Sequence, residues 1–114
     1  MINSKLIELY NCLNTQELEA FHKWVRSPLH NNDERIKSIY IFLFSRRLIT
    51  KTSVQKGRVF NYIFPSENYD DLKLRRLMSK ATRCLEEFIQ FWMFQKNMFE
   101  RQKYLISYLK KQKK

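Results

Sequence analysis

From Asp71 to Lys114 the chain contains neither proline nor glycine. Over that stretch Leu74, Ala81, Phe88, Gln95, Gln102 and Leu109 recur every seven residues, and Met78, Leu85, Trp92, Phe99 and Ile106 do so four positions later. The spacing predicts one long helix with a heptad-like stripe, apolar throughout at one register and polar at the other after Phe88. A helix of about 40 residues is about 60 Å long, whereas a packed domain of roughly 100 residues has a radius of gyration near 13 Å. The helix must therefore bend, break near Lys96-Asn97, or project beyond the body.

Four shorter helices are expected upstream. Leu6, Ile7, Leu9, Tyr10 and Leu13 share one face of the first. Asn14 and Glu17 have capping-box spacing and open a second, which buries Leu18, Phe21, Trp24 and Val25 and stops at Ser27-Pro28, where the proline drives its predecessor out of the α region. Asn31 and Glu34 offer another capping box, and Asp33 with Glu34 places negative charge at a helix start, where the macrodipole favours it. That third helix is predicted over residues 33–47. Ile36, Ile39, Tyr40, Leu43 and Phe44 form its buried face, widened by Ile41, Phe42 and Leu48. Thr52 or Ser53 caps a fourth helix over residues 54–64, which presents Val59, Phe60, Ile63 and Phe64. Gly57 inside it costs roughly 1 kcal/mol against alanine. Pro65 opens the next connection, and Asn68 or Asp70 caps the long helix.

No stretch has the alternation of a strand, with residues 48–54 coming nearest. The expected fold class is all-α, a small bundle of four short helices packed on the long C-terminal helix. Residues 1–95 form the bundle domain, and residues 96–114 form the distal part of the last helix with a basic tail. Phe21, Trp24, Leu43, Phe60, Leu77 and Phe88 head the apolar faces and are expected to meet in one core.

Composition excludes several function classes. The single glycine, Gly57, cannot build a phosphate-cradling loop or a dinucleotide fingerprint. Two cysteines cannot make a zinc ribbon and suggest no disulfide framework. No apolar run is long enough to span a membrane. Residues 1–10 carry Lys5 and Glu8 and lack the apolar stretch of a secretory signal, so a cytoplasmic location is expected. Cys12, His22, His30 and Cys84 match no compact ligand pair, and they read as two buried cysteines and two surface histidines. No glycine-flanked nucleophile turn exists. Asp70-Asp71 suits a helix start, and Glu86-Glu87, consecutive on a helix, point apart. No catalytic residue, cofactor or metal is expected.

Twenty-two basic residues against eleven acidic give a net charge of +11. Such an excess attracts polyanions, nucleic acid or an anionic membrane surface, and it equally describes a solvated helical surface with a soluble tail. Lys110, Lys111, Lys113 and Lys114 supply much of it. Lys73, Arg76, Lys80 and Arg83 fall at spacings of three, four and three, one basic stripe opposite Leu74, Leu77, Met78 and Ala81. On a helix after a short helix and turn, such a stripe fits a recognition helix in a major groove. Residues 88–94 are apolar nearly all round, which suits either a central core helix or a protein-binding surface. Beyond them, Met98, Phe99, Tyr104, Leu105, Ile106, Tyr108 and Leu109 exceed what a small four-helix body needs.

Two blocks carry a resemblance. Phe21-His22-Lys23-Trp24-Val25-Arg26-Ser27-Pro28 runs on to Asn31-Asn32. Later come Ile63-Phe64-Pro65, then Tyr69-Asp70-Asp71-Leu72-Lys73-Leu74-Arg75-Arg76-Leu77-Met78-Ser79, and Leu85-Glu86-Glu87-Phe88. The chain resembles, over roughly residues 13–88, an uncharacterised family of bacterial all-helical proteins. In that family an aromatic-rich helix closes with Ser-Pro and Asn, and Phe-Pro and a Tyr-Asp turn precede a helix opening Leu-Arg-x-Leu-Met-Ser. Leu29-His30 departs from the family's aromatic pair. The resemblance implies a helical fold in a chain with more helices after this region, so this sequence is expected to be a shortened relative, a lone N-terminal domain or a fragment. It brings no activity.

Together these features favour a non-catalytic helical interaction module. Its partner is another protein or a second copy, met through Phe99, Tyr104, Leu105, Ile106 and Leu109. The alternative is a helix-turn-helix-like DNA- or RNA-binding protein that uses Lys73, Arg76, Lys80, Arg83 and the lysine tail.

Overall fold

Side-chain caps set where the helices begin. In the computed structural model, which describes residues 4–45 and 56–112, α1 spans Ser4–Cys12 and α2 spans Thr15–Arg26. The Asn14 side chain accepts the Glu17 N–H at 2.8 Å, and the Glu17 carboxylate accepts the Asn14 N–H at 2.9 Å, so the expected capping box is present. α3 spans Glu34–Phe44 and α4 spans Lys56–Ile63. α5 spans Asp71–Lys96 and starts at Asp70, whose carboxylate accepts the Lys73 N–H at 3.2 Å. α6 spans Met98–Gln112. Every element among the described residues is a helix, so the chain is all-α.

The start of α3 differs from the expected box. Asp33, not Asn31, is its cap, accepting from the Arg35 N–H at 2.9 Å. Asn31 instead ties the connection together. Its side-chain amide donates to the Val25 carbonyl at 2.8 Å and to the Asp33 carbonyl at 3.2 Å. That bond to Val25 satisfies a carbonyl at the end of α2 that has no partner further along the helix. Leu48, Thr52 and Ser53 lie outside the described residues.

One core runs through α1 to α5. Phe21 sits at its centre, edge-on to Tyr40 with ring centres 4.6 Å apart and tilted against Phe88 at 5.1 Å. Leu43, Val59, Phe60, Leu77 and Leu85 are buried around it, and Trp24 packs half-buried against the same cluster. The Tyr40 hydroxyl donates to the Ala81 carbonyl, which joins α3 to the middle of α5. Two residues of α3 depart from the expected buried face. Ile41 is exposed, and Phe44 is exposed and turns its ring toward His22, 3.9 Å between ring centres, while Phe42 is buried as expected.

The long helix breaks at Asn97, which leaves helical geometry at φ −92° and ψ 89°. The Asn97 N–H closes α5 on the Phe94 carbonyl, and its side chain accepts the Glu100 N–H at 3.1 Å to open α6. α6 then departs from the body, and the molecule measures 59 × 27 × 19 Å with a radius of gyration of 17.2 Å. That exceeds the value of about 13 Å for a packed chain of this length.

Candidate interaction surfaces

No residue of α6 is buried. It is anchored at its base, where the Phe94 and Tyr104 rings lie 5.7 Å apart and the Arg101 guanidinium donates to the Gln95 carbonyl at 3.2 Å. At 100° per residue, Phe99 and Ile106 stand together on one side of the helix, Leu105 and Leu109 lie between, and Tyr104 turns toward α5. These five side chains are between 50% and 77% exposed. The surface continues through Met98 and Tyr108, and through Met93 and Phe94 at the end of α5. Met98 and Tyr108 belong to the apolar excess of the sequence and Met93 and Phe94 to the apolar run 88–94, but heptad spacing alone selects none of them. Lys103 and Lys110 border the Phe99–Ile106 side.

The basic stripe divides into two kinds of residue. Lys73 is engaged: its ammonium pairs with the Glu67 carboxylate and sits 4.4 Å from the centre of the Phe64 ring. Arg76, Lys80 and Arg83 are exposed and form no ion pair among the described residues. A cation that the stripe omits joins them. Arg35 of α3 places its guanidinium 4.9 Å from the same Phe64 ring centre. Arg35, Lys73, Arg76 and Lys80 thus line one groove of about 370 Å³ between α3 and α5, together with the carboxylates of Asp33 and Asp70. Arg83 lies outside it. No spacing in the sequence brings Arg35 to this face, because only the packing of α3 on α5 does. Lys110 and Lys111 are exposed in the last turn of α6, far along the chain from the stripe, and Lys113 and Lys114 lie outside the described residues.

Of the four titratable candidates, His30 and Cys84 lie where they are expected, and His22 and Cys12 do not. His22 is buried, not at the surface, with its Nε2 3.1 Å from the Tyr10 hydroxyl. Burial, reinforced by the Arg26 charge, lowers its pKa to about 4, while burial pushes Tyr10 up to about 12. His30 is exposed but stacks flat on Trp24, ring centres 3.8 Å apart. Cys12 is exposed rather than buried. Cys84 is buried, and that burial raises its thiol to about 11, so it stays protonated at neutral pH. Among the described residues no group of three or more His, Cys, Asp or Glu side chains is arranged to hold a metal ion. No described helix is long and apolar enough to cross a membrane. Comparison with known protein families, curated proteins and solved structures finds no match to this chain.

Proposed function

We propose that the chain is a non-catalytic helical module that binds another protein, or a second copy of itself, through α6. One observation carries this reading: a helix of fifteen residues buries none of them, yet displays Phe99, Tyr104, Leu105, Ile106 and Leu109. Most helical stability in proteins comes from burying an apolar face. A contiguous exposed apolar patch is what protein-binding surfaces share. Lys103, Lys110 and Lys111 would repel across a parallel symmetric pair, so an antiparallel or heterologous contact fits better. Sedimentation of the parent beside a Phe99→Glu, Ile106→Glu double variant tests it. Association that the double variant loses is expected. A strictly monomeric parent whose residues 98–109 are protected from hydrogen exchange would overturn it.

Arg76, Lys80 and Arg83, three exposed cations in a row without ion pairs, favour nucleic-acid binding as a second reading. Phosphate contacts by such residues make affinity fall with salt, by a logarithmic slope of about 0.9 for each contact. Changing all four stripe residues to Gln is expected to flatten that slope. Sensitivity only to loss of residues 110–114 would reduce the effect to tail electrostatics. In either reading we place the protein in the bacterial cytoplasm, on the resemblance and on two free cysteines, which suit a reducing compartment.

A further inference from the structure

We propose that the groove between α3 and α5 binds a phosphate monoester, independently of any role of α6. The groove gathers cations from two helices around one pinned ring. Phe64 is buried, and both the Arg35 guanidinium and the Lys73 ammonium sit within 5 Å of its centre. Arg76 and Lys80 complete the lining from the next turns of α5. Cations gathered along one groove repel one another, and an anion between them relieves the repulsion.

The charge balance selects the kind of anion. Glu67 matches Lys73. Asp33 and Asp70 also line the groove, but each caps a helix N-terminus, which carries roughly half a positive charge. About one negative charge of the two is offset in that way. Arg35, Arg76 and Lys80 remain, leaving the groove positive by roughly two charges. A phosphate monoester carries about −1.5 to −2 at neutral pH and three acceptor oxygens. A phosphodiester carries one charge and leaves the groove half matched. The two guanidinium groups present the planar fork that engages phosphate oxygens in pairs.

Shape agrees with charge. A volume of about 370 Å³ falls at the lower end of small-molecule sites. It leaves room for the organic part of the ligand against Leu72, which is half exposed on the groove wall. An extended nucleic-acid backbone would instead follow the stripe to Arg83 and pass the two carboxylates.

The test titrates the whole chain with phenyl phosphate, dimethyl phosphate and a DNA duplex, following backbone amide shifts by NMR. Phenyl phosphate is expected to move the amides around Arg35, Lys73 and Arg76, and to bind at least about tenfold more tightly than dimethyl phosphate. Its affinity is expected to fall below about pH 6, where the monoester dianion takes up a proton and becomes a monoanion. Arg35→Gln and Arg76→Gln are each expected to weaken it by about tenfold, and Arg83→Gln to leave it unchanged. Lys80→Gln, at an exposed side chain without an ion pair, provides the readout if Arg35→Gln lowers the melting temperature. Equal affinity for monoester and diester, or no binding of phenyl phosphate, overturns the proposal. So does DNA binding that Arg83→Gln weakens as much as Arg76→Gln, which would return these cations to a nucleic-acid stripe.

Discussion

The Tyr10 hydroxyl lies 3.1 Å from Nε2 of His22, and both side chains are buried where α1 meets α2. A neutral imidazole accepts that hydroxyl proton through its bare nitrogen, whereas an imidazolium has only N–H groups to offer. The hydroxyl oxygen can accept from the latter, so the contact serves either form, and burial, reinforced by the Arg26 charge, is what favours the neutral ring. His22 has a pKa of about 4 in the fold against an ordinary 6.5, so between these values the unfolded chain binds the extra proton. Stability is expected to be level above about pH 6.5 and to fall by on the order of 2 to 3 kcal/mol as pH drops toward 4. Urea melts of the parent and of His22→Gln, compared between pH 7 and pH 4, check this. The variant should lose that part of the slope, and an unchanged slope would assign the acid sensitivity to carboxylates elsewhere.

Phe60 enters the core from α4 and Phe88 from α5, and each is essentially unexposed. Replacing either with alanine removes a ring and leaves a cavity, which costs about 3 to 5 kcal/mol. That is a large part of a small domain's stability. Melting within a degree or two of the parent would place the ring outside the core.

Gly57 stands in the first turn of α4 with nothing within 4 Å of where a Cβ would be, and its φ is not positive. It serves no turn and permits no close approach. Gly57→Ala is therefore expected to raise stability by about 0.5 to 1 kcal/mol, through helix propensity and a less disordered unfolded chain. Thermal melts of the two proteins decide it, and a lower melting temperature would show that the open space is needed.

Much of this was legible because it is local. The Asn14–Glu17 box and the stop at Pro28 depend on neighbours three or four residues away. So do the cap at Asp70 and the core faces of α2 and α5. The break at Lys96-Asn97 was one of three outcomes that length alone allowed, and the choice falls to an Asn side chain that caps better than it continues a helix. What the sequence hid depends on packing between helices. Arg35 and Lys73 are 38 positions apart and meet only because Phe64 lies between their helices. His22 reads as a surface residue beside Lys23, and it is buried because Tyr10 and Phe44 close over it. Cys12 falls on the outer side of α1 for the complementary reason, since Leu6 and Tyr10 fix which side faces the core.

Asn97 separates α5 from α6 by giving its side chain to the Glu100 N–H, and α6 contributes no buried residue to the body. Removing that cap should thus weaken α6 without weakening the fold. Loss of an Asn cap costs about 1 kcal/mol, or roughly a fivefold change in a local opening equilibrium. Asn97→Ala is expected to speed hydrogen exchange of the amides in the first turns of α6 by about that factor, with the melting temperature of the body unchanged. The opposing effect is propensity, since alanine is the best helix former and asparagine a poor one. If propensity wins, α5 and α6 fuse into one straight helix. Exchange near residue 97 then slows, and the radius of gyration from small-angle scattering rises above that measured for the parent. That outcome would show that the direction of α6, and with it the placement of Phe99 and Ile106, is held by one side chain.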